Sequence, residues 1–164
     1  MSDGTEARKM GGIVGLTKLF RDEALGLPEG AVVVFIGSSA VCAPFAELLA
    51  YSVRDRKFDL YFSPMANEMD CRPLLWNEGT GYGISHAGGE VVASDMIVVL
   101  GGLAMPKFGC PVEGVQRFIG KVAGQGTAKV VGVCFMDILK RSGWTDCIKF
   151  DALINATMEV EKQI

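Results

Sequence analysis

Two stretches of this chain, Ala31-Val32-Val33-Val34-Phe35-Ile36 and Met96-Ile97-Val98-Val99-Leu100, carry no polar side chain at any position. A half-exposed strand alternates apolar and polar residues, whereas a strand covered on both faces reads as a continuous apolar run, as in parallel sheets. Lys129 to Phe135 has the same character, and Phe58 to Phe62 predicts a shorter strand. Helix-like spacing falls between these runs. Ile13, Leu16, Leu19, Phe20 and Leu27 mark an amphipathic helix over roughly 13–25, closed by Gly26 and Pro28. Pro44 to Arg54 places Phe45, Leu48, Leu49 and Val53 inward, and a further helix spans about Val112 to Val122. Strands alternating with helices imply right-handed crossovers and a mainly parallel sheet. The expected fold is α/β: a three-layer domain of the Rossmann-like or flavodoxin-like kind, with helices on both faces. The remaining segments are less regular. Pro73 to Trp76 predicts the start of a short helix, and Gly79 to Gly89 a loop or a hairpin around Tyr82 to His86. Asp137 to Arg141 predicts a short helix ending at Gly143, while Cys147 to Phe150 and Ala156 to Val160 are candidate edge strands.

The 164 residues suit a single domain over 13–164 behind a flexible tail of residues 1–12, with no repeat or linker. Hydrophobic residues make up 49% and charged residues 21%, which places the chain among soluble globular proteins. A formal net charge of -3 without a Lys/Arg cluster argues against a nucleic-acid binder. No run approaches the roughly 18 to 20 apolar residues that span a bilayer, and Met1 to Met10 lacks an apolar signal core. The expectation is a cytoplasmic protein without a membrane partner. Five cysteines, an odd number, are there poor candidates for structural disulfides.

In open parallel sheets, ligands bind beyond the carboxyl ends of the strands, where strand order reverses. The loops predicted to meet there are Gly37 to Ala43, Ser63 to Arg72, Gly101 to Pro111 and Met136 to Asp137. Gly37-Ser38-Ser39, between an apolar strand and a helix, offers backbone N–H groups and two hydroxyls to an anion. A serine-capped helix reads the same way. The segment is neither G-x-G-x-x-G nor a P-loop, so a full dinucleotide site and a Walker-type NTPase are disfavoured. Gly101-Gly102 lets backbone approach a ligand closely, with Lys107 following to neutralise a phosphate or carboxylate; a tight exit turn with a solvated lysine is the alternative. Asp137 suits either a site residue or a helix N-cap.

Three cysteines precede prolines: Cys42-Ala43-Pro44, Cys71-Arg72-Pro73 and Cys110-Pro111. Proline favours the first turn of a helix, and a thiol ahead of that turn feels the positive end of the dipole, which stabilises thiolate. Cys42, Cys71 and Cys110 therefore form a candidate metal or redox set, with His86 or Asp70 as a fourth ligand. Burial as small hydrophobes is the competing account, and it covers Cys134 fully. Cys147 has no evident role. His86 is the one histidine, in a glycine-rich segment. Asn67, Glu68, Asp70 and Glu78 make an acidic patch able to coordinate Mg²⁺ or simply to solvate a loop. Ser38, His86 and Asp137 do not follow the α/β-hydrolase order, and no G-x-S-x-G is present.

The pieces Phe35-Ile36-Gly37, Val98 to Lys107, Cys134-Phe135-Met136-Asp137 and Ser142-Gly143-Trp144 resemble a small family of uncharacterised archaeal proteins known mainly from methanogens. The resemblance implies a Rossmann-like fold and a reducing, anaerobic cytosol, and it brings no activity or catalytic residues. Three functions are expected in turn. The first is binding of a small anionic ligand, nucleotide- or coenzyme-like, at Gly37, Ser38, Ser39, Gly101, Gly102, Lys107 and Asp137. The second is metal or thiol-redox chemistry at Cys42, Cys110 and Cys71. The third is a non-catalytic role as a homo-oligomer or as an assembly or regulatory partner of a larger enzyme, through Met65, Met69, Trp76 and Trp144.

Overall fold

In the computed structural model, which describes residues 7–90, 93–124 and 126–164, the two apolar runs become neighbouring strands of one seven-stranded sheet. The strands are β1 (Val32–Gly37), β2 (Asp59–Pro64), β3 (Arg72–Asn77), β4 (Gly81–Ile84), β5 (Met96–Leu100), β6 (Lys129–Phe135) and β7 (Ala152–Ala156). Their order across the sheet is β4-β3-β2-β1-β5-β6-β7. β1 lies parallel to β2 and β5, β5 to β6, and β6 to β7, while β3 and β4 form an antiparallel hairpin on β2. The helices are α1 (Gly12–Ala24), α2 (Ala43–Ser52), α3 (Val112–Val122), α4 (Ile138–Arg141) and α5 (Trp144–Cys147).

Packing explains the absence of polar alternation. Val33 and Phe35 join a core with Leu16 and Phe20 of α1 and Ala46 and Leu49 of α2. Their neighbours Val34 and Ile36 join a second core with Val115 and Phe118 of α3, Leu139 of α4 and Trp144 of α5. Every position of β1 from Val33 onward is therefore buried. Each large apolar side chain so covered contributes about 1.5 to 3 kcal/mol.

At the amino ends of the parallel strands, aspartates clasp the neighbouring strands. The Asp95 carboxylate accepts the Val32 N–H at 2.8 Å, while the Asp95 N–H donates to the Val32 carbonyl at 2.8 Å. Asp151 makes the same two bonds with Val130, each 2.8 Å.

Three expected elements differ. Pro73 to Trp76 is strand, not helix: Leu74, Leu75 and Trp76 pair with Ile84, Gly83 and Tyr82, and this ladder overrides the first-turn preference of Pro73. Cys147 closes the short α5 instead of opening a strand. The last strand is Ala152–Ala156 and stops where Ala156 meets Phe135, the last residue of β6. Beyond that point no strand among the described residues pairs with Thr157 to Val160. Of the expected flexible tail, residues 1–6 lie outside the described residues, and residues 7–11 are exposed ahead of α1.

Candidate functional site

The chain lays β2 on one side of β1 and β5 on the other, so strand order reverses between β1 and β5. Their carboxyl ends, Gly37 and Leu100, frame the crevice expected to receive a ligand. That crevice is filled from within. Cys42, only 3% exposed, donates its N–H to the Ser38 carbonyl at 2.9 Å, and the buried Ser38 hydroxyl donates to the Cys42 Sγ at 3.6 Å. A Cβ on Gly102 would overlap that Sγ, and a Cβ on Gly37 would overlap the Cys42 Cβ. Gly101, likewise, is pressed against Cys134 and Ile138. The close approach read from these glycines is thus to the protein's own side chains.

The residues that reach solvent form a rim above this plug. Ser39 is exposed at the turn into α2. Lys107 is exposed on a 3-10 turn, Pro106–Phe108, with its Nζ 5.0 Å from the Phe108 ring centre. Asp137 is exposed at the end of β6, and its carboxylate makes no capping bond to α4. Its N–H instead donates to Asn155 Oδ1 at 2.8 Å.

Sequence reasoning missed the most unusual backbone on this edge. Met65 and Ala66, after β2, have φ of 56° and 55°; Met136 and Asp137, after β6, have 53° and 58°. Such conformations cost on the order of 1 to 3 kcal/mol each for non-glycine residues and persist where surrounding bonds over-determine them. The Met65 N–H donates to the Gly37 carbonyl at 2.9 Å, and the Ser63 hydroxyl to the Asn67 carbonyl at 2.7 Å. On the other side the Met136 N–H donates to the Ala156 carbonyl at 2.9 Å. Only Asp137, of a type tolerant of the left-handed region, hinted at these turns.

The cysteine trio does not come together. Cys42 belongs to the core under α1 and α2, whereas Cys71 lies in the opposite core and Cys110 packs against that one. The Cys71 and Cys110 thiols rest on the carbonyls of Asn67 and Met65, at 3.9 and 4.0 Å. Among the described residues, no three His, Cys, Asp or Glu side chains are grouped to hold a metal ion. Nor is thiolate favoured at Cys71 or Cys110. Cys71 precedes a strand, and burial pushes its thiol up, against a hydrogen bond from Ser63 and with help from the charges of Asp70 and Glu68. Burial raises the Cys110 and Cys134 thiols in the same way.

The other proposed ligands are engaged elsewhere or stand apart. Asp70 pairs with Arg72 at 2.9 Å, and that guanidinium holds its carboxyl below the usual range. Glu68 pairs with Lys121 at 2.5 Å, and Glu78 accepts the Trp76 indole N–H at 2.9 Å. His86 is exposed beyond β4. Of the expected contact residues, Met65, Met69 and Trp76 are exposed, but Trp144 is buried in the second core. Trp76 stacks on Tyr51 at 6.0 Å and meets Tyr82 edge-on at 5.2 Å. Among the described residues, no helix is long and apolar enough to cross a membrane.

Fold and edge together define an α/β protein built on a seven-stranded, mostly parallel sheet whose reversal point is closed by its own cysteine. The chain belongs to a family described as an uncharacterised protein conserved in archaea (DUF2124), matched over residues 11–159. It is similar to an uncharacterised protein of Methanothermobacter thermautotrophicus, 38% identical over 127 residues that cover 76% of this chain and 78% of the relative. An uncharacterised protein of Methanocaldococcus jannaschii is 38% identical over 129 residues, covering 78% of this chain and 75% of the relative. A crystal structure of a protein of unknown function from Methanothermobacter thermautotrophicus superposes with a TM-score of 0.85 at 30% identity, covering 97% of both chains.

Proposed function

We propose that this is a cytoplasmic α/β protein that binds a small anionic ligand, nucleotide- or coenzyme-like, on the carboxyl edge of its sheet. The observation that carries the reading is the reversal of strand order between β1 and β5. Counting parallel strands alone, the order is 2-1-3-4-5, which is that of flavodoxin-like sheets, whose ligands bind at the same switch point. We accordingly treat residues 13–164 as one three-layer domain of that kind. Because Cys42 fills the crevice, the ligand lies across the rim and not between the strands. Gly37, Ser38, Gly101 and Gly102 form a floor under it. Ser39 offers a hydroxyl and its N–H, Lys107 neutralises charge, and Asp137 accepts from a ligand hydroxyl. The left-handed turns at Met65–Ala66 and Met136–Asp137 flank this rim and support the reading, since such conformations gather at ligand sites.

A thermal-shift screen with inorganic phosphate, nucleoside phosphates and carboxylate coenzymes tests the proposal. At least one class should stabilise the protein, and Lys107→Ala should weaken that ligand up to about fivefold, in line with an exposed charge pair worth up to about 1 kcal/mol. A screen in which no anion stabilises the protein, or a shift that Lys107→Ala leaves intact, would overturn it.

A further inference from the structure

The two edges of the sheet are finished differently. At the β4 edge the Glu47 carboxylate of α2 accepts the Ile84 N–H at 3.2 Å. At the β7 edge the strand runs into Thr157 to Ile164, which are exposed and carry no regular structure. An open edge presents unpaired N–H and C=O groups to any strand that arrives.

The sequence past β7 keeps the pattern of a strand. Ala152, Ile154, Ala156, Met158 and Val160 occupy one face in alternation, and Leu153, Asn155, Thr157, Glu159 and Glu161 occupy the other. Ile154 is buried in the core under α1, with Ala152 and Ala156 packed against it, so Met158 and Val160 extend an already apolar face. In the single chain Met158 is 55% exposed and Val160 is 88% exposed. The Met136 N–H donates to the Ala156 carbonyl, and the Met158 N–H turns to Met136 Sδ at 3.5 Å. The even-numbered peptide groups of β7 are thereby turned toward β6, and the odd-numbered ones, Leu153 and Asn155, toward the open edge; a strand continued past Ala156 would turn Thr157 and Glu159 the same way.

Beside this edge runs a groove of about 960 Å³, lined by residues 7–13, Leu16 and Leu19 of α1, and β7 with Thr157 and Met158. Met10, Ile13, Leu153, Met158 and Val160 are all substantially exposed around it. Met10, Ile13, Met158 and Val160, the members on the α1 side, expose on the order of 400 Å² of residue surface, about half of the roughly 800 Å² per partner that a stable homodimer buries. A patch of that size on one face marks a contact surface.

We infer that the β7 edge and the tail behind it form a two-fold interface with a second copy of this chain. Residues 152–160 of each copy pair antiparallel about Ala156, joining two seven-stranded sheets into one of fourteen. Met158 then lies opposite Ile154 of the other copy, and Val160 opposite Ala152, on the face that continues the α1 core. The odd-numbered peptide groups supply the hydrogen-bonded pairs, Leu153 with Glu159 and Asn155 with Thr157. Such an isologous contact closes on itself and leaves no further open edge on this side. It is independent of the ligand rim.

The full chain should sediment as a dimer over about 1 to 100 µM, and the amides of Thr157 and Glu159, which the pairing places in inter-copy hydrogen bonds, should be protected from hydrogen exchange. Val160→Asp alters a residue that is almost wholly exposed in the single chain, so the variant keeps its cooperative thermal unfolding. It should raise the dimer dissociation constant at least ~100-fold and release the same amides, because a carboxylate would be desolvated on the apolar face opposite Ala152. A monomer with freely exchanging tail amides overturns the inference. So does a monomer with protected amides, which would mean that the tail folds onto its own groove, and so does a dimer that Val160→Asp leaves intact.

Discussion

At the scale of single residues, Cys42 is the fixed point of the carboxyl edge, and its two glycine neighbours touch different atoms of it. Gly102→Ala sets a methyl against the Cys42 Sγ, and Gly37→Ala sets one against the Cys42 Cβ. Each should destabilise the protein by about 1 to 3 kcal/mol, as overpacking does. Adding Cys42→Ala should recover much of the loss for Gly102→Ala, since the offending sulfur is gone, and little of it for Gly37→Ala, since the Cβ remains. Denaturant unfolding of the single and double variants measures this as a coupling energy; equal recovery in both pairs would refute the assignment. The sequence marked all three positions as special without showing that they touch one another. A glycine after a buried strand says that something comes close, and only the fold says that the visitor is a cysteine two residues before a helical proline.

Whole elements were legible where burial is two-sided. The runs in β1, β5 and β6 are apolar because their side chains are divided between two buried cores, and the spacing of Val115, Phe118 and Val122 in α3 follows from a single buried stripe. Legibility failed where pairing outweighs local preference. Pro73 looks like a helix start until Leu74 to Trp76 are seen held by β4, and Ala156 to Val160 looks like a strand although, among the described residues, its pairing stops at Ala156. The left-handed turns after β2 and β6 had almost no signature, because Met65, Ala66 and Met136 are not residues chosen for that conformation. Ala66→Gly should therefore stabilise the fold by about 1 kcal/mol, by relieving the steric cost of φ 55°. A lower denaturation midpoint for this variant would show that the Ala66 methyl contributes more through packing than it costs in strain.

For the molecule as a whole, the pH range of stability follows from the buried thiols of Cys71, Cys110 and Cys134. Their folded-state values lie above the ordinary 9.0. The unfolded chain thus loses protons first as pH rises, and the contribution of these groups is fully present below pH 9 and declines above it. The melting temperature should hold steady to about pH 9 and then fall, with thiolate absorbance of the native protein lagging behind that of the unfolded chain. A native protein whose thiols titrate well below 9 would contradict the burial account and revive a nucleophilic role for them. The aspartate clasps at the amino ends bear on a different problem, which is how so many parallel pairs find their alignment. β1 and β5 are brought together across a sequence separation of 63 residues, as the Val32–Asp95 bond measures, and distant pairings of this kind form slowly. A slip by one residue would send every side chain of β5 to the wrong layer and would also leave a carboxylate facing no amide. Misalignment is thereby penalised at the first rung as well as along the ladder, so Asp95 and Asp151 act as proofreaders of assembly.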